Sequence, residues 1–175
     1  PGMTEQEVVG IAQGAMYANG AEYEGHPTYV LSGKASTHAI GRPSQKVLKP
    51  GEMIQLNIGA LYQGYSSSVG RPVCFGKMPP KMRELVEVGL EAHYKTMEFM
   101  KAGVPAREVV IKFEEFIASK GYSQYLLYGP CHAIGLMEVE RPWMESSSEY
   151  LLEENMTFQV DTFLYTSQFG LRWED

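Results

Sequence analysis

The sequence predicts an α+β domain, with antiparallel strands before and after a pair of helices. Met53 to Arg71, MIQLNIGALYQGYSSSVGR, holds two strand-like runs bracketing Gly59 and Gly64, which reads as a hairpin-like pair. Residues 80–120 switch twice to helical spacing, with a glycine after each run. Thr157 to Tyr165, TFQVDTFLY, returns to strand character. A length of 175 residues with 44% hydrophobic content suits one compact domain with its own core.

The elements follow in order. Thr4-Glu5-Gln6-Glu7 is a capping-box pattern, and Val8, Ile11, Ala12, Ala15 and Met16 recur at helical spacing until Gly20. Thr28 to Leu31 reads as a short strand, followed by a loop that carries His38. Pro50-Gly51-Glu52 turns the chain into Met53–Ile58, a run apolar enough to be buried on both sides. Tyr65 to Val73 is the second strand of the pair, with Arg71 expected to point back into the sheet toward a carboxylate or carbonyls. Pro79-Pro80 opens a helix with the stripe Leu85, Val88, Gly89, Ala92, Thr96, Phe99 and Met100, on which His93 reads as solvated. Pro105 opens another, with Val109, Val110, Phe113, Phe116 and Ile117 facing a core.

Polar residues inside apolar strands are costly unless they are used, which singles out Asn57 and Asp161. Ser68 lies eleven residues after Asn57. Gly129-Pro130-Cys131-His132-Ala133-Ile134-Gly135-Leu136 places a histidine among small and apolar neighbours, where a structural role and a site role are equally open. Gly170-Leu171-Arg172-Trp173-Glu174-Asp175 ends the chain on a carboxylate pair.

In this order the motifs resemble the creatinase, aminopeptidase P and methionine aminopeptidase superfamily, over nearly the whole chain. Its metallopeptidases carry D-x-G and G-Y-x-S-D-x-x-R, with two metal-binding aspartates eleven residues apart. Gly59, Gly64, Tyr65, Ser67 and Arg71 match, whereas Asn57 and Ser68 stand where the aspartates belong. The segment around His132 resembles G-H-G-I-G-L, whose histidine binds metal, and the family's substrate-contacting histidine seven residues on is Val139 here. Asp161 matches a glutamate ligand and is one methylene shorter, and Glu174 in G-x-R-x-E-D matches the last, bridging ligand. His38, nineteen residues before Asn57, matches a substrate-contacting histidine.

The resemblance implies the pita-bread fold, a curved antiparallel sheet in two pseudo-symmetric halves with helices on its outer face. It implies His38, His132, Asp161 and Glu174 as catalytic residues, and His38, Asn57, Ser68 and Arg172 as substrate contacts. Residues 1–175 would be the catalytic-type domain without the N-terminal domain and final strands, a fragment, as the start at Pro1 also suggests. The full-length protein is expected to be a homodimer.

The ligand set argues against two metals. Removing one partner of an opposite-charge pair near 4 Å costs roughly 4 kcal/mol at an effective dielectric of about 20, and two aspartates are replaced. No cofactor is expected. The alternative is a single Mn, Co or Zn ion on His132, Asp161 and Glu174. Three functions follow from the resemblance: creatinase-like, metal-independent hydrolysis of a small C–N substrate; single-metal Xaa-Pro or N-terminal peptidase action; or an inactive binding module. The expected partner is a small molecule or short peptide.

Composition excludes other classes. A net charge of −6 provides no basic footprint for nucleic acid, and no apolar run approaches a membrane span. Cys74 and Cys131, with no metal-like spacing, suit a reducing cytoplasm.

Overall fold

The computed structural model describes residues 2–175; Pro1 lies outside them. Helix α1 (Glu5–Ala18) precedes strands β1 (Tyr23–Ser32), β2 (Ile54–Tyr62), β3 (Tyr65–Ser66) and β4 (Val69–Val73). Helices α2 (Pro80–Phe99) and α3 (Ala106–Ser119) follow, then β5 (Cys131–Ala133), β6 (Glu140–Met144), β7 (Phe158–Tyr165) and β8 (Gly170–Glu174). All pairings are antiparallel, in the order β1-β2-β4-β8-β7-β5-β6, with β3 on β2. The two halves of the chain meet at β4 and β8, so the sheet joins segments more than 90 residues apart.

The helical stripes work largely as the spacing predicts. Leu85, Ala92, Phe113 and Ile117 pack with Met53, Leu164 and Leu171 between the sheet and α2 and α3. Val109, Val110, Cys131, Met144 and Val160 form a second apolar cluster, and both cysteines are free. Gly89 brings α2 onto the sheet, because a Cβ there would stand 3.0 Å from Leu171 Cδ1. That approach corrects the solvated reading of His93. The ring is fully buried, with Nε2 3.1 Å from Asp175 Oδ2. Small Gly89 and Ala92 bring α2 close enough for the ring to reach the end of β8.

Helix α1 departs further from expectation. The Thr4–Glu7 capping box is formed, but Ile11 is 59% exposed and Glu5 is the buried residue. Its carboxylate accepts from the backbone and hydroxyl groups of Ser32 and Ser44, at 2.6–2.8 Å. Four charge-assisted hydrogen bonds offset its burial and tie α1 to β1 and the following loop.

The hairpin also differs. β2 runs through Gly59, and the turn is Gln63-Gly64, both at positive φ. The second strand is interrupted at Ser67-Ser68, between β3 and β4. Arg71 points where the sequence predicts, donating to the carbonyls of Gly70 and Glu174 and to Asp175. Among the described residues, no helix is long and apolar enough to cross a membrane.

Candidate functional site

The register of the sheet assembles the site. Tyr29 pairs with Asn57, Asn57 with Gly70, Gly70 with Glu174, and Glu174 with Asp161. Laterally paired residues project to the same face, so one row across five strands gathers Asn57, Glu174 and Asp161. Arg172, two residues before Glu174, projects to that face as well. Gly70 makes room for it: a Cβ at this position would stand 2.7 Å from Arg172 Cγ and from Glu174 Cβ.

Beneath the row, Asn57 Nδ2 donates to Glu174 Oε2 at 3.2 Å. Ser68 Oγ lies 2.9 Å from Asn57 Oδ1 and contacts Glu174 Oε1 closely. It also lies 2.9 Å from His26 Nε2. His26 Nδ1 faces the Pro27 carbonyl at 2.7 Å and must carry a proton there, because a carbonyl only accepts. Glu174 is fully buried, and burial together with nearby Asp161 pushes its carboxyl up to about 8, against the pull of Arg172.

Arg172, only 5% exposed, lies among the carboxylates. Its Nε is 3.2 Å from Asp161 Oδ1, and its Nη1 is 3.4 Å from Glu174 Oε2. Nη2 donates to Tyr128 Oη at 2.8 Å and to the Ala39 carbonyl at 3.0 Å. Tyr128 in turn donates to Asp161 Oδ2 at 2.6 Å. Burial, reinforced by Asp161, holds the Tyr128 phenol well above its ordinary range.

Above this layer is a cavity of about 350 Å³, lined by Tyr29, Tyr128, His132, Glu138, Trp143 and Arg172 among others. His132 Nδ1 donates to the Ala133 carbonyl at 3.0 Å, which leaves Nε2 to accept; it stands 3.8 Å from Glu138 Oε1. The His132 ring meets Trp143 edge-on at 5.9 Å.

The structure thus brings together His132, Asp161, Glu174, Asn57, Ser68 and Arg172, in two layers. His132, Asp161 and Arg172 line the cavity, whereas Asn57, Ser68 and Glu174 lie behind it. His38 is not brought in. It follows a 3-10 turn, Gly33–Thr37, and is exposed, while Ala39 and Ile40 reach the cavity instead. The donors of Arg172 face protein acceptors, so it meets the cavity chiefly as a wall.

Sequence reasoning missed three residues: His26, Tyr128 and Glu138. Gly59 is the one signal for His26. The two pair across β1 and β2, and a Cβ at Gly59 would collide with the imidazole ring. Glu138 stands next to Val139, the position where the resemblance expects a histidine, but nothing local orients its side chain toward His132.

The side chains present do not fit a two-metal centre. Asn57 and Ser68 supply neutral oxygens, and the remaining carboxylates already face the Arg172 guanidinium. Among the described residues, no group of three or more His, Cys, Asp or Glu is placed to hold an ion.

Comparison with known proteins agrees with the fold. The chain is 33% identical over 175 residues to a Xaa-Pro dipeptidase of Pyrococcus horikoshii, covering 99% of this chain and 50% of the relative. An X-Pro aminopeptidase structure from Thermotoga maritima superposes with a TM-score of 0.94 at 33% identity, covering 99% of this chain and 49% of that one. A Xaa-Pro dipeptidase structure from Bacillus anthracis gives 0.96 at 32% identity, covering 100% and 50%. The chain therefore spans about half the length of these relatives, and its antiparallel sheet with three helices is of their pita-bread type. The model of metallopeptidase family M24 matches residues 1–175, and the chain belongs to that family.

Proposed function

We propose that the full-length protein hydrolyses a carbon–nitrogen bond in a short peptide, with Xaa-Pro dipeptides as the first substrate class to test. This segment would supply the cavity and its acid–base group. The names of the relatives favour a short peptide over a creatinase-type substrate. The observation that carries the reading is the state of His132: Nδ1 is held by the Ala133 carbonyl, and Nε2 stands in a peptide-sized cavity beside Glu138.

In this reading Nε2 takes a proton from the attacking water, and the imidazolium returns it to the leaving nitrogen. Glu138 favours the charged ring during the interval. Tyr29, Trp143 and Val139 form apolar wall suited to a proline ring. No step is assigned to a metal, because the donor set does not fit one. A homodimer, on the resemblance, and a cytoplasmic location, on the cysteine usage, belong to the same proposal.

The experiment is a turnover assay of the full-length protein with Xaa-Pro dipeptides, matched dipeptides lacking proline, and creatine, each with and without chelator. Xaa-Pro turnover that survives chelation supports the proposal. Turnover of creatine alone would restore the creatinase-like reading, and turnover that needs added ion would make the single-metal peptidase correct. Saturable binding without turnover would identify an inactive binding module.

A further inference from the structure

We propose that Arg172 is the resident cation of this site, holding Asp161 and Glu174 together where the family's scaffold otherwise places divalent ions. The inference stands on this chain's own geometry and not on the proposed substrate. Asp161 and Glu174 pair across β7 and β8, and both are nearly or fully buried. A buried carboxylate on β7 beside a second buried carboxyl on β8 is stabilised by a positive charge placed between them. The guanidinium supplies it, through Nε at 3.2 Å from Asp161 and Nη1 at 3.4 Å from Glu174.

Three further features fit that role. Arg172 Nε and Asp161 Oδ1 are buried without an aligned hydrogen bond, so this contact works through charge more than through directional bonding. Nη2 is anchored by Tyr128 and Ala39, and the guanidinium lies 5.5 Å from the centre of the Phe163 ring, which fixes its plane. Gly70 has no side chain where the Arg172 stem crosses β4, so the backbone is shaped to admit it. The family pattern also carries an arginine at this position. What differs here is that Asn57 and Ser68 have removed the negative charge that would balance additional cations.

The test uses the full-length protein, with manganese(II) as the ion probe. Arg172→Gln should lower Tm by about 5 °C or more, as expected for a buried charge left without its partner. Compared with the single variant at pH 9, above the range in which Glu174 keeps its proton, the double variant R172Q/E174Q has the same net formal charge as the unmodified cluster and should regain at least half of that loss. The unmodified protein should show no stoichiometric manganese binding by calorimetry. If Arg172→Gln fails to fold while the double variant folds, the proposal stands, because the charge alone separates the two. An unchanged Tm in Arg172→Gln, a double variant no better than the single, failure of both to fold, or one tightly bound manganese per unmodified chain would each overturn it.

Discussion

Asn57 and Glu174 lie 117 residues apart in sequence, and the amide of the first donates to the carboxyl of the second at 3.2 Å. Between them stands Gly70, paired to both through β4. Where the family pattern has an aspartate, this chain closes the gap between β2 and β8 with a neutral side chain. The contact connects the N-terminal and C-terminal halves of the sheet through the site itself.

The paired substitution Asn57→Asp and Ser68→Asp should create divalent-ion binding, because it returns two carboxylates to a row whose backbone is already in register. Calorimetry with manganese, cobalt or zinc should show binding in the double variant. At an ion concentration of about 100 times Kd, the stabilisation should be about 2.7 kcal/mol. Without ion the same variant should be less stable than the original, since it adds buried negative charge beside Glu174. A double variant that binds no ion would mean that more than these two positions has been rebuilt.

His132→Ala should reduce kcat on a turned-over dipeptide by about 10² to 10⁴, the usual worth of a general acid–base group. Stability should change little, because the ring lines the cavity outside both apolar clusters. Steady-state kinetics together with a thermal melt separates the outcomes. Full activity in a poorly folded variant would make the histidine structural.

Gly59→Ala should destabilise the protein by about 1–3 kcal/mol, as overpacking does at a site that cannot relax. The added Cβ would meet the Ser67 carbonyl oxygen at 2.5 Å and the His26 ring. A backbone oxygen gives way far less readily than a side chain. A urea midpoint shift measures the loss, and none should appear in Gly51→Ala beyond the strain of its positive φ, since space is open there.

Glu174 makes stability depend on pH in a defined window. Its carboxyl titrates near its ordinary value of 4.5 when unfolded and at about 8 when folded. Between these values the folded protein binds more protons than the unfolded chain, so stability falls as pH rises from about 4.5 to 8. Above that range the dependence on this group ends. His93 acts in the opposite sense on the acid side, because burial holds its pKa below 6.5 and stability rises with pH up to that value. Urea midpoints of the unmodified protein and Glu174→Gln, compared from pH 5 to 9, isolate the Glu174 contribution by difference. Parallel profiles would show that the carboxyl is not held protonated.

The sequence alone indicated the three helices and strands at β1, β2, β4 and β7, whereas β5, β6, β8 and the row across the sheet came from the structure. Periodicity identified α2 and α3, because a buried stripe of Leu85, Ala92, Val109 and Phe113 is a local property of spacing. Polar residues in apolar strands singled out Asn57 and Asp161, and the family resemblance implied Ser68, His132 and Glu174 beside them. The tertiary structure decided how the polar groups are satisfied. Glu5, His26 and His93 look like surface residues in their own segments, yet each is buried against a partner more than twenty-five residues away. His38 goes the other way, exposed at the end of a turn that the chain spacing could not orient. Arg172 is the clearest case. Its neighbours in sequence say only that it lies on β8, while its acceptors come from β7, β8 itself and two loops. A polar side chain can be buried only where remote segments supply its complement, and local pattern carries no record of that supply.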